Sequence, residues 1–519
     1  MAKWNHKPKN QSRVLNAEGG ESYKPTMKLE LMLRTMSFLM SGDAYYQKEE
    51  TNRTEIQNLI KNVSSKDPEF VLKLAVYARQ KMYLRSVPVY LLVEYAKLGL
   101  SSPGAYRYVP EIIRRADEPQ EALAYLFGSS QIKEGVEEKR KEFLKRTGKK
   151  YVPRTSVPVP HMLRKGLSLA LNNFDSYQFS KYDRESEVRE KDTVFLSHPR
   201  PVSESNQKNF DDIVAGTLDT PYTWETELSA KGNTKEVWDE LLSSGRLPFM
   251  ALLRNLRNIV QSGANIKPAY DIITDPKLVM KSKQFPYRFF SAYRELQSTQ
   301  SSRVPEVSKL MDAVEIAMGL SADNIEIIPG TTAVFSDNSG SMHGVGPSEK
   351  SKVLNIDIAS LFSAIALRKC ERAIVGVFGN DYSDVNLSSR SSIMDNMRQI
   401  RDTDVGHATE AWKAIASIGK RKIFVDRIFI FSDMQCYTEY PGSHNDMRDA
   451  LNRYRREVNP QCRVYSFDVS SHGLLKFPEK DPLTCPIAGY SDQVFRFVKM
   501  FESDKTTMLK DIESMEPEK

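Results

Sequence analysis

The chain divides into a first part with helical periodicity and a last part in which short apolar runs alternate with helical patterns. In the first part, apolar positions recur every three or four residues, which predicts helices with one buried face. The predicted helices are 70–79, 89–96, 112–115, 122–127, 163–171, 237–242, 249–260 and 289–296. They come in pairs broken at prolines and without a strand pattern, which predicts an irregular α-solenoid. The polar stretch 180–222 is predicted to be a long ordered loop or an insertion.

The last part of the chain predicts a parallel sheet. An apolar run from Thr331 to Phe335 leads directly into Asp337, and a long apolar helix is predicted over 352–367. Further strands, rich in β-branched and aromatic residues, are predicted at 373–378, 427–433 and 463–468. Strands that alternate with helices are typical of a doubly wound, Rossmann-like α/β domain.

A tight turn after the first of these strands carries candidate metal ligands. Asp337, Ser339 and Ser341 follow one another at every second position. Carboxylate and hydroxyl oxygens suit Mg²⁺ or another small divalent ion, although the same residues also serve ordinary turn chemistry. Asp433 ends another apolar run, and Thr409 lies in a loop between them. Because parallel strands present their carboxyl ends at one edge, Asp337 and Asp433 are expected to converge.

Composition and cysteine content place the chain among ordinary intracellular proteins. Its 519 residues allow two or three domains, and 40% hydrophobic with 27% charged residues is a typical balance. The absence of an eighteen-residue apolar run and of a signal-peptide pattern predicts a cytoplasmic protein without a membrane span. The cysteines show no Cys-x-x-Cys spacing, which favours buried free thiols. They are Cys370, Cys436, Cys462 and Cys485.

Charge is unevenly distributed along the chain. Residues 1–320 carry 49 Lys and Arg against 39 Asp and Glu, a net charge of +10, whereas the remainder carries 25 against 28, a net charge of −3. The first part is therefore the candidate for binding a polyanion, although solvated basic surface without function would look similar. The basic run 139–150, which includes Lys145 and Arg146, is either a solvated helix end or an RNA-facing patch.

Enzymatic motifs are missing from the sequence. It contains no phosphate-binding loop of the Gly-x-x-x-x-Gly-Lys-Ser/Thr type and no Gly-x-Gly-x-x-Gly before a helix. The turn at Ser339 lacks the frame of a nucleophile elbow. Only His343 and His407 are candidates for a general base beside a metal-bound water, so a metal-dependent RNA hydrolase is disfavoured and we expect no enzyme.

Several stretches together resemble one family. The last part, roughly 327–515, resembles a von Willebrand factor A domain with a metal-ion-dependent adhesion site. The first part resembles the TROVE module of the Ro 60 kDa autoantigen family, bacterial orthologues included. The matching stretches are NAEGG at 16–20, FLMSG at 38–42 with Tyr45-Tyr46, AVYAR at 75–79, LRSVP at 84–88, LPFMALLRNLRN at 247–258, FPYRF at 285–289 and AYR at 292–294.

The resemblance implies a TROVE domain over 1–325, in which HEAT-like helical repeats form a ring, and an A domain over 326–519 that closes it. It implies binding of Y RNA-like noncoding RNAs and of single-stranded 3′ ends of misfolded RNAs, in RNA quality control as a ribonucleoprotein. Lys181 and His198 match the family's Lys-Tyr and Leu-Ser-His stretches on the RNA-binding surface. A further basic position of the family falls on Glu185, and Arg184 or Arg189 is the candidate substitute; Arg200 is a further RNA-binding candidate.

For the A domain, the resemblance implies that Ser339 and Ser341 bind the ion directly and that Thr409 binds it directly or through water. Asp337 and Asp433 would act mainly through water, and an open coordination position would take a partner's carboxylate. The alternative function is therefore a metal-dependent protein-interaction scaffold. We expect a monomer, and an exoribonuclease or another RNA-processing protein is the further partner considered.

Overall fold

A computed structural model gives the fold of the chain. It describes residues 13–16, 21–37, 49–100, 102–115, 118–127, 159–174, 204–215, 217, 222–299, 304–344, 346, 352–436, 446–470, 474–488, 495, 498–499, 501–502 and 508–517. The chain forms two compact units, one of residues 1–53 and 227–508 and the other of residues 54–226 and 509–519. The domain boundary predicted from the sequence lies between residues 325 and 326. It differs from this division into compact units and stays a prediction. No helix in the described ranges is long and apolar enough to cross a membrane.

The described elements before residue 325 are helical apart from one hairpin. In chain order they are β1 (Arg13–Leu15), β2 (Glu21–Tyr23), α1 (Met27–Ser37), α2 (Glu49–Ser64), α3 (Phe70–Gln80), α4 (Ser86–Lys97), a 3-10 helix (Ala105–Tyr108), α5 (Val109–Ile112), α6 (Glu118–Phe127), α7 (His161–Asn172), α8 (Glu204–Ala215), α9 (Trp224–Lys231), α10 (Lys235–Ser243), α11 (Phe249–Ser262), α12 (Lys267–Thr274), α13 (Pro276–Ser282), α14 (Pro286–Gln297), α15 (Val304–Ser321) and a 3-10 helix (Ala322–Asn324). Neighbouring helices pack in pairs, such as α3 with α4 and α14 with α15.

Seven of the eight predicted helices lie inside observed ones, and the prolines between them begin helices rather than separate them. Pro88, Pro110, Pro119 and Pro286 all lie in the first turn of a helix, and Pro248 caps the start of α11. A proline fits there because the first-turn N–H groups have no partner within the helix. The helices α4, α6 and α14, with proline in their first turn, therefore start three or four residues earlier than the apolar periodicity indicates.

Three expectations for this part were wrong. The stretch 180–222 was predicted to be a long ordered loop or an insertion; the loop is contradicted by the helix α8 in its described portion, and the insertion stays a prediction. The predicted helix 112–115 is displaced, because α5 ends at Ile112 and Ile113 has extended backbone angles. The hairpin of β1 and β2 was missed, since strands of three residues are too short to show an alternating pattern.

The last part of the chain forms a six-stranded sheet. Its elements are β3 (Ile328–Asp337), α16 (Gly340–His343), α17 (Asn355–Lys369), β4 (Cys370–Phe378), β5 (Tyr382–Asp384), α18 (Ile393–Arg401), α19 (Trp412–Lys420), β6 (Arg427–Ser432), α20 (Met447–Glu457), β7 (Arg463–Asp468), β8 (Thr484–Ala488) and α21 (Met508–Glu513). The strand order is β5-β4-β3-β6-β7-β8, and only the edge strand β5 is antiparallel to its neighbour. The predicted parallel sheet is confirmed.

Both faces of this sheet are covered, as alternation along β6 shows. Ile428 and Ile430 pack into a core cluster with residues of α19 and α20. Phe431, one position on, turns to the opposite face and contacts Phe362 of α17 edge to face, with ring centroids 5.8 Å apart. Because side chains alternate along a strand, a strand apolar at every position must be buried on both sides. The domain is therefore doubly wound.

Helices 227–321 belong to the same compact unit as the sheet, and one buried carboxylate links the two. Asp357, in the first turn of α17, is fully buried. It pairs with Arg294 of α14 at 3.4 Å and with Arg401 of α18 at 2.9 Å. It also accepts a hydrogen bond from the Leu354 backbone N–H at 2.9 Å, which caps the helix. A buried charge held by two cations fixes the position of α17 beneath the carboxyl edge of the sheet.

Candidate functional site

The two predicted carboxylates meet at the carboxyl edge of the sheet. Asp337 is the last residue of β3, and Asp433 directly follows β6, the neighbouring parallel strand. Both are buried, with exposed fractions of 0% and 1%. Ser432 donates its hydroxyl to Asp337 Oδ2 at 2.5 Å, so the end of one strand contacts the carboxylate of the other. The adjacency that the sequence implied is therefore present.

The predicted hydroxyls lie in the turn next to these carboxylates. The Ser339 N–H donates to Asp337 Oδ1 at 2.9 Å, and the hydroxyl oxygens of Ser339 and Ser341 are 3.4 Å apart. Ser339, Ser341 and Thr409 are all buried. The Gly340 N–H donates to the carbonyl oxygen of His407 at 2.9 Å, which brings the loop carrying Thr409 against the serine turn. All five predicted ligands thus belong to one edge of the sheet.

Asn338 holds the serine turn in place. Its backbone N–H donates to the Phe378 carbonyl at the end of β4, at 2.9 Å. Its side-chain amide donates to the carbonyl oxygens of Ile400 at 2.7 Å and Thr403 at 3.1 Å. The turn is therefore fixed from both sides, which holds the hydroxyls of its neighbours beside Asp337. A pre-positioned ligand loses less conformational freedom when an ion binds.

The electrostatics of this edge favour a cation. Burial, together with the negative charge of Asp433, raises the pKa of Asp337 from 3.8 to about 7. No Lys or Arg nitrogen lies within 4.0 Å of either carboxylate in the part of the chain that the structure describes. Two neighbouring buried carboxylates without a counterion are costly unless a proton or a metal ion compensates them.

The donor set fits a hard divalent ion. Asp337, Ser339, Ser341, Thr409 and Asp433 could supply oxygen atoms, as Mg²⁺ prefers. Clusters of three or more His, Cys, Asp or Glu are not found in the described ranges, and this edge relies on hydroxyls for most of its oxygens. A bound ion with an open position would act as a Lewis acid that attracts an anionic oxygen. The metal itself remains a prediction.

Two residues that shape this edge escaped the sequence analysis. Ser432 was seen only as part of a strand, although it bonds Asp337 and accepts the N–H of Met434 at 2.9 Å. Lys476 is a fully buried cation whose pKa is lowered by burial. It donates to the carbonyl of Cys436 at 3.0 Å, three residues after Asp433. Neither role follows from local spacing, because both depend on which strands are neighbours.

The predicted RNA-binding residues lie outside the described residues. They are Lys145, Arg146, Lys181, Arg184, His198 and Arg200. Their assignment to the RNA-binding surface therefore stays a prediction, as does the matching of Glu185 to a basic position of the family.

The fold and this edge define a helical-repeat protein that carries an α/β domain of the von Willebrand factor A type. The TROVE domain matches residues 22–218 and 209–317, more than half of the chain, so the chain belongs to the TROVE domain family. It is similar in structure to the Ro protein (RSR) of Deinococcus radiodurans, with a TM-score of 0.59 and 17% identity, over 90% of this chain and 98% of that one. The Ro-family assignment is confirmed.

Two sequence relatives extend well beyond this chain. The telomerase protein component 1 of Rattus norvegicus is 24% identical over 377 residues, and that of Mus musculus is 25% identical over the same length. Each alignment covers 56% of this chain but only 14% of the relative. The chain therefore spans only about a seventh of the length of these relatives.

Proposed function

We propose that the protein binds small structured noncoding RNAs of the Y RNA kind and single-stranded 3′ ends of misfolded RNAs. In this role it would serve RNA quality control or turnover as a cytoplasmic, monomeric ribonucleoprotein, without a catalytic step of its own. The observation that carries the proposal is the TROVE match over residues 22–218 and 209–317. The likeness of fold to a Ro protein over 90% of the chain supports it.

The charge distribution agrees with a phosphate-binding first part. Residues 1–320 have a net charge of +10. Contacts to phosphates release counterions, so they give affinity without reading sequence, and they make that affinity fall steeply with salt. A site that selects single-stranded ends needs such contacts together with an opening too narrow for a duplex. We assign phosphate contacts to Lys181, Arg184, His198 and Arg200, and to Lys145 and Arg146 in the basic run.

The test compares two labelled RNA duplexes, one blunt and one with a 3′ single-stranded tail, by fluorescence anisotropy over a salt series. We expect tight binding only to the tailed duplex. The logarithm of affinity should fall with the logarithm of salt by about 0.7 for each phosphate contacted on the single strand. Equal affinity for both duplexes, or an affinity that salt does not change, contradicts the proposal.

A double variant tests the residues carried over from the family. Lys181→Ala with His198→Ser should weaken RNA binding, while the circular dichroism spectrum stays unchanged. The matched control is Lys66→Ala, which removes one exposed lysine from the turn after α2. Wild-type affinity of the double variant, with the fold intact, would reject those two assignments and leave the general RNA-binding proposal standing.

A second candidate function rests on the carboxyl edge of the sheet. The convergence of Asp337, Asp433 and the serine turn favours an Mg²⁺ ion that captures a carboxylate of a protein partner, with the helices as scaffold. An exoribonuclease or another RNA-processing protein is the partner class that fits both proposals. Mg²⁺-dependent binding of an acidic protein, without salt-sensitive binding of tailed RNA, would favour this second function over the first.

A further inference from the structure

A lysine lies directly over the ring of a half-buried tyrosine in the helical part of the chain. The Lys165 ammonium nitrogen on α7 is 3.6 Å from the centroid of the Tyr106 ring, in the 3-10 helix Ala105–Tyr108. A cation this close to a ring face interacts favourably with the π electrons. The two residues are distant in sequence, so the contact depends on how α7 packs against the 3-10 helix.

Gly166 explains that close packing. A β-carbon at this position would lie 2.2 Å from Val109 Cγ2 and 2.9 Å from the Tyr106 carbonyl oxygen. Only glycine lets α7 approach so closely, and the approach carries its neighbour Lys165 over the tyrosine. The contact is therefore built into the packing of the two elements and is more than a chance meeting of flexible side chains.

The residues beside this contact are basic and exposed. Leu163, Leu167 and Leu171 are buried and attach the helix to its neighbours. Arg164 and Lys165 are exposed, and so is Arg107, next to Tyr106 in the 3-10 helix. We call Tyr106, Arg107, Arg164 and Lys165 the Tyr106 cluster.

The Tyr106 cluster contains three basic side chains and no acidic one. Within the described residues, Arg107, Arg164 and Lys165 have no carboxylate oxygen within 4.0 Å. Elsewhere in the same compact unit, basic side chains do form such pairs, as Lys97 does with Glu94 at 2.7 Å. Hydrogen bonding by Arg107, followed by that of Lys165, lowers the pKa of the Tyr106 phenol. Three exposed cations therefore lie beside a half-buried aromatic ring.

We infer that the Tyr106 cluster binds single-stranded RNA, with one base stacked on the Tyr106 ring and the flanking phosphates on Arg107, Arg164 and Lys165. The inference rests on the proposed function and assigns it a surface among residues that no family motif singled out. A flexible lysine can leave the ring and follow a phosphate while a base takes its place on the π face. Arginine and lysine around an aromatic ring bind RNA without a sequence requirement.

Two RNA probes test the stacking: duplexes whose 3′ tails have the same length, one of uridines and one of abasic nucleotides. Tyr106→Ala should weaken binding of the uridine tail between about 5-fold and 150-fold and leave the abasic tail unchanged, since only the former offers a base to stack. Tyr106→Phe keeps the ring and should bind both tails as wild type does. Tyr83→Ala, which removes an exposed tyrosine of this compact unit, is the matched control.

The arginines are tested through the salt dependence. Arg107→Gln combined with Arg164→Gln should lower the salt slope for the tailed duplex by about 1.4, two contacts at about 0.7 each. Lys66→Gln should leave the slope unchanged. If wild type binds the tailed duplex but neither the tyrosine nor the arginine variants differ from it, the inference fails and the proposed function stands. If wild type does not bind the tailed duplex, the proposed function itself fails. Equal losses on both tails for Tyr106→Ala would overturn the stacking.

Discussion

Replacing Asp337 by asparagine should stabilise the protein when divalent ions are absent. The folded protein binds a proton at Asp337 more tightly than the unfolded chain, because burial and Asp433 raise the pKa from 3.8 to about 7. The sign follows from that difference: wild type loses stability as the pH rises from about 4 to about 7, and the full penalty applies above pH 7. The difference between these two pKa values corresponds to about 4 kcal/mol in the free energy of unfolding, at about 1.4 kcal/mol for each pH unit.

Asparagine removes the cost of burying this charge, but it also disturbs a hydrogen bond. It still accepts the Ser339 N–H, while the hydrogen bond that Ser432 donates to the carboxylate at 2.5 Å must be rearranged. A lost hydrogen bond of this kind costs about 1 to 2 kcal/mol. The net gain of the variant above pH 7 is then about 2 to 3 kcal/mol, or roughly 3–4 °C in the melting temperature of a unit of this size.

The assay is thermal unfolding at pH 5 and pH 8, each with EDTA and with Mg²⁺. In EDTA, Asp337→Asn should melt higher than wild type at pH 8 and no higher at pH 5. Added Mg²⁺ should raise the melting temperature of wild type at pH 8 and leave the variant unchanged. Asp402→Asn, at an exposed carboxylate of the same domain, controls for a general charge effect. A variant that melts below wild type at pH 8 in EDTA would refute the reasoning.

Three further changes test the packing around the functional surfaces. Glu502→Ala leaves the buried Arg427 guanidinium without the carboxylate that it binds at 2.6 and 2.9 Å, and should cost about 3 kcal/mol in the free energy of unfolding by urea. Asn338→Ala removes the side-chain hydrogen bonds that fix the serine turn, and should weaken Mg²⁺ binding by about 10-fold or more in a titration of melting temperature. Gly166→Ala forces α7 away from Val109 and should destabilise its unit by about 1 to 3 kcal/mol, whereas Gly319→Ala, which meets no atom within 4 Å, should be neutral or stabilising by thermal melts.

The sheet and its edge were predictable because their signals are local. An apolar run from Thr331 to Phe335, followed closely by Asp337, predicts both a buried strand and the carboxylate at its end. The same holds for the strand before Asp433. The rule that parallel strands align their carboxyl ends then brings the two together. The part played by Ser432 was not predictable, because it requires β6 to lie next to β3 rather than elsewhere in the sheet.

The helical part shows the same limit more strongly. Amphipathic periodicity located most of the helices, yet it says nothing about which helices touch. Nothing in the sequence pattern connects Tyr106 with Lys165. Their contact follows from the close packing of Gly166 against Val109, which brings the two elements together. The hairpin of β1 and β2 is likewise a product of tertiary structure, because Tyr23 also bridges to Leu475 at the far end of the chain.

That bridge links the family module to the candidate metal edge. Ser22 accepts a hydrogen bond from the buried Lys476 ammonium at 3.0 Å, and Asn16 donates to the Cys436 carbonyl at 2.8 Å. Cys436 is also bonded by Lys476 and follows Asp433 by only three residues. The segment that opens the TROVE match at residue 22 therefore holds the loop that carries a predicted metal ligand. An isolated sheet domain that begins at residue 326 would lack these contacts and would expose a buried lysine, so we expect the proposed Mg²⁺ binding to need residues 16–23 as well as the sheet.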